Sequence, residues 1–151
     1  MTPERMQLPG LRPASTADAD FIAGVIETTM RGHVERTWGA FSADQTRRRV
    51  LDSIEARTYS VIRWNGQDVG ALAIVRESTH ILLDQLFILP LYQNKGIGTH
   101  FIREAVQEAK AAGKPLRLRV LAVNPARRLY EREGFAVTAV TPERIYMELP
   151  A

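Results

Sequence analysis

The chain has 151 residues and a mass of 17.0 kDa, a length suited to one domain with its own apolar core. Its 45% hydrophobic and 25% charged residues are globular proportions, which argues against a disordered or fibrous chain. Twenty Lys and Arg against seventeen Asp and Glu leave a formal charge of +3, too small an excess to imply nucleic acid without a concentrated basic face. No cysteine is present, which excludes disulfides, a thiolate nucleophile and Cys-ligated zinc. Met1 to Leu11, with Pro3, Glu4, Arg5 and Pro9, offers no apolar run for a secretory signal. No later stretch reaches the roughly 18 apolar residues of a spanning helix. The expectation is a cytoplasmic protein, one domain over residues 1–151, with neither nucleic acid nor membrane as partner.

Taken in chain order, Gly10-Leu11-Arg12-Pro13 reads as a short first strand. Ser15, Thr16 and Asp18 then supply polar caps and an acid for a helix start. Phe21, Ile22, Val25, Ile26 and Met30 recur at helical spacing, and Gly32 is the predicted stop. Residues 33–41 then read as a connecting segment. Ser42 and Gln45 fit a capping box that opens a second helix with Val50, Leu51 and Ile54 as its apolar stripe.

From Thr58 the period changes to two. Tyr59 to Trp64 reads as a strand, Asn65-Gly66 as a type I′ turn, and Val69 to Val75 as the returning strand. His80 to Leu89 is a longer strand stopped by Pro90. Gly96-Ile97-Gly98 opens a helix with apolar Ile97, Phe101, Ile102, Ala105 and Ala109, closed at Gly113. Leu116 to Val120 alternates as a strand, Pro125 to Arg132 suits a short helix ended by Gly134, and segments 135–137 and 145–147 suggest two last strands. This order predicts an α/β or α+β domain around one central sheet.

The segment from Leu86 to His100 carries the most chemistry. A strand runs into a glycine-containing turn that becomes a helix N-terminus, where the first backbone N–H groups lack internal partners and the macrodipole adds about half a positive charge. Gly96 and Gly98 remove Cβ atoms, so a phosphate can approach the backbone, and Gln93 and Lys95 can add donors. Pyrophosphate is the anion this suits. The same glycines equally serve a tight turn with no ligand. A dinucleotide-binding fingerprint is excluded because its third glycine falls on Phe101; a P-loop is excluded because Lys95 precedes Gly96 and Ile97 follows.

Gln93-x-x-Gly96-x-Gly98 resembles the acyl-CoA-binding signature of the GNAT acetyltransferase superfamily, Gln/Arg-x-x-Gly-x-Gly/Ala. Leu86-Phe87-Ile88-Leu89-Pro90 resembles that family's hydrophobic strand and its proline. Asn124-Pro125-Ala126-Arg127-Arg128-Leu129-Tyr130-Glu131-Arg132-Glu133-Gly134-Phe135 is similar to its second motif, and Leu11-Arg12-Pro13-Ala14 to its first strand. The resemblance spans nearly the whole chain and is densest from 81 to 136.

The resemblance implies a mixed central β-sheet flanked by helices, with strands 81–89 and 116–121 parallel and splayed to form an acyl-CoA cleft. It further implies direct transfer of acetyl from acetyl-CoA to a primary amine of a small molecule or peptide, with no metal. Backbone groups of Phe87, Ile88 and Leu89 would pair with the pantetheine arm, and Gln93, Asn94, Lys95, Gly96, Ile97, Gly98 and Thr99 would hold the pyrophosphate. Asn124 would bond the pantetheine arm, and Arg127 or Arg128 would reach the nucleotide end or simply face solvent. The Ile88 amide would donate to the oxyanion, and Tyr130 would protonate the departing thiolate or else pack as a helix residue. Asp84, set in an apolar run, is either the base or substrate contact, or one half of a structural salt bridge. Glu35 is the second choice of base. His33, Glu35 and Trp38 would lie in a substrate-side loop and recognise a cation, or be a packed Trp among surface charges. His80 and His100 read as structural. Family members often form homodimers, and a noncatalytic acyl-CoA-binding regulatory module is the alternative function.

Overall fold

The computed structural model describes residues 8–151, so Met1 to Gln7 of the N-terminal stretch lie outside the described residues. Among the described residues, the strands are β1 (Gly10–Pro13), β2 (Tyr59–Trp64), β3 (Gln67–Arg76), β4 (Ile81–Ile88), β5 (Leu116–Leu121), β6 (Ala136–Val140) and β7 (Arg144–Leu149). They form one sheet in the order β1-β2-β3-β4-β5-β7-β6. All neighbours are antiparallel except β4 and β5, which run parallel. Helices α1 (Ala19–Trp38), α2 (Ala43–Glu55), α3 (Ile97–Ala112) and α4 (Arg127–Arg132) flank it. No helix among them is long and apolar enough to cross a membrane.

Each face of the sheet has its own core, and strand alternation decides which residue joins which. Tyr59, Val61, Ala71 and Ala73 point to one side and meet Ala19 and Ile22 of α1 and Val50 and Ile54 of α2. Alanine at 71 and 73 leaves room for the helices to approach. Ile62, Leu72, Ile81, Leu83, Leu116 and Leu118 point to the other side. There they meet the α3 stripe of Ile97, Phe101, Ile102, Ala105 and Ala109, whose spacing places one apolar face against the sheet.

Local signals are met at most boundaries. Ser42 Oγ accepts from the Gln45 N–H at 3.2 Å, Asn65 (φ 52°) and Gly66 (φ 75°) make the left-handed pair that a type I′ turn requires, and Gly113 (φ 65°) closes α3. Gly32 is the exception. The helix continues through it to Trp38 and stops at Gly39, whose φ of 88° is left-handed and whose N–H donates to the Glu35 carbonyl at 2.7 Å. An interior glycine costs only about 1 kcal/mol relative to alanine, which packing of α1 on the sheet outweighs. His33, Glu35 and Trp38 are therefore helical, and the expected loop shrinks to the few residues after Trp38.

Arg12 of β1 fastens the start of α1 to the sheet. Its guanidinium donates to both Asp18 oxygens at 2.9 and 2.7 Å and to Asp68 Oδ2 of β3 at 3.1 Å, while the Ser15 N–H donates to Asp18 Oδ2 at 2.8 Å. These bonds, Arg12's foremost, outweigh burial and hold the Asp18 carboxyl at about 2, against an ordinary 3.8. Because the folded value is the lower one, the stabilisation is complete above about pH 4 and disappears as pH falls through 2. Asp18→Asn is expected to lower stability at neutral pH by about 2 kcal/mol and to flatten the loss between pH 4 and 2. Urea denaturation of both proteins across that range checks it.

Candidate active site

Strands β4 and β5 pair at only two positions, Ile81 with Leu116 and Leu82 with Arg117, and then separate. A bulge in β4 lies just beyond. Ala73 opposes Gln85 and Ile74 opposes Leu83, which leaves Asp84 without a partner on β3. A bulge bends and twists the strand that carries it, and here the bend accompanies the departure of β4 from β5. The Leu89 N–H donates to the Val69 carbonyl at 2.9 Å, so strand alternation turns the Ile88 N–H the opposite way, into the gap. Gly70 stands opposite Ile88 where a Cβ would lie 2.2 Å from the Phe87 carbonyl oxygen, so the β3 edge of this strand end admits no side chain.

The gap opens into a cleft of about 750 Å³, within the range of small-molecule sites. On its sheet side lie Asp84, Phe87, Arg119, Asn124 and Tyr130; on its helical side lie Ile26, Met30, Val34 and Trp38 of α1, at a spacing of four. Arg119 Nη2 of β5 donates to Asp84 Oδ1 at 3.1 Å, so an ion pair spans the strands where their backbone pairing has ended. The Tyr59 phenol is buried beside this pair, and its pKa is raised by burial and then by the Asp84 charge.

Asn124 follows β5 and precedes α4. Its Oδ1 accepts from the Ala126 N–H at 3.0 Å, and its Nδ2 reaches only the weak acceptor Met30 Sδ at 3.8 Å. Tyr130 is 8% exposed, packs edge-on against Phe135 with ring centroids 5.8 Å apart, and has its pKa pushed up to about 12 by burial. The phenol therefore stays protonated at neutral pH and can act as a donor.

Beyond the end of β4, Gln93 Nε2 donates to the Ile88 carbonyl at 2.9 Å and ties the glycine turn to the strand. Asn94 (φ 61°) and Gly96 (φ 82°) are left-handed, and α3 begins at Ile97 with no side-chain cap on its first N–H groups. Gly98 has no positive φ and nothing within 4 Å of where a Cβ would sit, so neither backbone strain nor packing demands a glycine there. The open space over uncapped N–H groups suits an anion approaching from outside.

The cleft thus gathers Asp84, Phe87, Asn124, Tyr130 and Trp38. Ile88 lies at the edge of the gap, and residues 93–99 lie outside the cleft's lining, at the helix end. Leu89 spends its N–H on β3. Arg127 stands on the exposed face of α4, paired with Glu131 at 2.5 Å. His33 and Glu35 do not line the cleft: His33 Nδ1 contacts the Arg36 guanidinium at 2.7 Å, and Glu35 pairs with Arg31 at 3.0 Å. Burial, then Arg36, lowers the His33 pKa. Trp38 faces the cleft under the Arg144 guanidinium, 5.2 Å from its ring centroid. Sequence reasoning missed Tyr59, Arg49, Arg119 and Arg144. The alternation Leu116-Arg117-Leu118-Arg119 carried a signal for one of them, an arginine face opposite the core.

The fold is shared with solved acetyltransferases. PaiA N-acetyltransferase from Thermoplasma acidophilum, solved in complex with coenzyme A, superposes with a TM-score of 0.76 at 18% identity, covering 96% of this chain and 100% of that one. An acetyltransferase from Thermus thermophilus gives 0.72 at 20% identity over 97% and 99% of the two chains. Ard1 from Thermoplasma volcanium gives 0.71 at 17% identity over 95% and 97%. At such identities the likeness establishes the fold, a GNAT-type mixed sheet with its cleft between splayed parallel strands. No curated relative matches at the level of sequence. The acetyltransferase (GNAT) domain family matches residues 25–146, and the chain belongs to that family.

Gly98→Val places a branched side chain over the uncapped helix start without disturbing the core. The variant is expected to fold with unchanged thermal stability and to bind coenzyme A at least tenfold more weakly, as read by calorimetry.

Proposed function

We propose that the protein is an acetyl-CoA-dependent N-acetyltransferase, one domain that passes acetyl directly to a primary amine of a small molecule or peptide. The observation that carries this reading is the open gap between β4 and β5 with Asn124 and Tyr130 at its cleft. A chain that leaves strand edges apart in this way has room for an extended arm bearing amide groups. The residues present fit such a ligand. The Asn124 Nδ2 would bond the pantetheine arm, the Ile88 N–H would face the thioester carbonyl, and the N–H groups of the glycine turn and first turn of α3 would hold the diphosphate, with Gln93, Asn94, Lys95 and Thr99 around them.

Bound acetyl-CoA would supply an activated carbonyl carbon and a thiolate leaving group. The chain's own residues supply the rest. An amine of pKa about 10 is roughly 0.1% neutral at pH 7, so it must lose a proton before it attacks. Asp84 accepts that proton, directly or through water, from its place at the bulge. The Ile88 N–H donates to the carbonyl oxygen as negative charge builds there, a contribution that grows in a site shielded from water. Tyr130 donates its phenolic proton to sulfur. One C–N bond forms and one C–S bond breaks. Counted from the ammonium, the nitrogen loses two protons, one to Asp84 before attack and one as the tetrahedral centre collapses; the sulfur gains the proton of Tyr130, and the balance passes to solvent. Tyr130 recovers its proton from solvent.

Release of free thiol from acetyl-CoA over a panel of amines tests the reading. Tyr130→Phe is expected to lower kcat about 100-fold and to leave the KM for acetyl-CoA within about twofold. With the phenol held near 12, the wild-type rate should show no alkaline loss from Tyr130 below about pH 10. Tight coenzyme A binding with no thiol released by any amine would make the protein a noncatalytic acyl-CoA-binding module instead.

A further inference from the structure

The cleft carries a charge pattern that acetyl transfer does not itself require. Three arginines and two aspartates line the cleft: Arg49, Arg119 and Arg144 against Asp52 and Asp84. Arg119 and Asp84 neutralise each other at 3.1 Å. Among the described residues, Arg49 and Asp52 of α2 form no ion pair, although they stand one helical turn apart, and Arg144 of β7 has an aromatic ring rather than a carboxylate beneath it. The remaining set is two cations and one anion.

We propose that the amine acceptor also carries a carboxylate, and that Arg49 and Arg144 hold it. This rests on the acetyl-transfer reading above and names the substrate class for it. An amino acid in its reactive form, with the amine neutral and the carboxylate ionised, has a net charge of −1. That complements the single excess positive charge of the cleft. A guanidinium offers a planar pair of donors to a carboxylate, and Arg144 already lies over the Trp38 ring, 5.2 Å from its centroid, which limits the freedom it must lose on binding. A polyamine has the opposite fit, since its non-reacting amines stay protonated and would face two arginines. Ile26, Met30 and Val34 of α1 and Phe41 add apolar lining to the same cleft. The body of the acceptor is therefore apolar, as in leucine, methionine or phenylalanine.

The test compares each of these three amino acids with its own carboxamide and with its decarboxylated amine, using the full-length protein and saturating acetyl-CoA. Wild-type kcat/KM is expected to be at least tenfold higher for the acid than for the amide. Arg49→Gln and Arg144→Gln should each shrink that acid-to-amide ratio at least fivefold, with Arg49→Lys and Arg144→Lys retaining more of it. The wild-type comparison needs no variant, so it decides the matter even where a substitution impairs folding. Equal rates for acid and amide, a preference for polyamines or phosphorylated amines, or a rise in the KM for acetyl-CoA in the arginine variants would each overturn the carboxylate site while acetyl transfer stands. Absence of transfer to every amine would overturn acetyl transfer and this inference with it.

Discussion

The organisation of the molecule depends on two parallel strands that pair for two residues and then part. Buried backbone donors and acceptors need partners, and a sheet normally supplies them to its last residue. Here the supply stops at Leu82 and Arg117. The bulge at Asp84 redirects β4, and the Asp84–Arg119 ion pair joins the two strands by side chains where the ladder no longer does. The open edge is tolerated because both strands stay anchored on their other sides, β4 to β3 and β5 to β7. It is this anchoring that makes the gap a fixed feature of the fold.

The two halves of the site are built by different means. Toward the glycine turn the groups on offer are main-chain: the N–H of Ile88 and the uncapped start of α3. Their positions follow from strand register and from left-handed residues at 94 and 96. Toward α1 and α2 the groups are side chains drawn from α2, β4, β5 and β7, and their charges rather than their backbone define what fits. A common backbone half and an individual side-chain half allow one chemistry to serve different acceptors, because changing the second leaves the first intact.

This division also explains what could be read from the amino-acid sequence. Local signals carry the backbone geometry of the strand end and the glycine turn. The glycines at 96 and 98, the Asn65-Gly66 turn and the alternation from Leu116 to Val120 each have a short-range physical meaning, and the two motifs between 81 and 136 placed Asn124 and Tyr130 together. The side-chain half joins residues up to about a hundred positions apart, and no local period reveals that Arg49, Arg119 and Arg144 line one cleft. Asp84 could be read as either a site residue or one end of an ion pair; it lines the cleft and is paired with Arg119 at once. Glu35 and His33 looked equal to Trp38 by proximity in the chain, but consecutive helical residues point in different directions, and only Trp38 of the three turns to the cleft.

The length of α1 connects these points. Ile26, Met30, Val34 and Trp38 stand four apart, so they form one stripe only if the helix passes through Gly32 unbroken. Ending the helix at Gly32 would satisfy a local stop signal and remove Val34 and Trp38 from the wall. Gly39 offers the left-handed cap one turn beyond Glu35, just after the stripe is complete. Trp38 then lies where Arg144, leaving the start of β7 opposite Leu121, can cover its ring. The wall, the aromatic platform and the cation over it thus come from one structural decision, the continuation of a helix through a glycine that would tolerate either outcome.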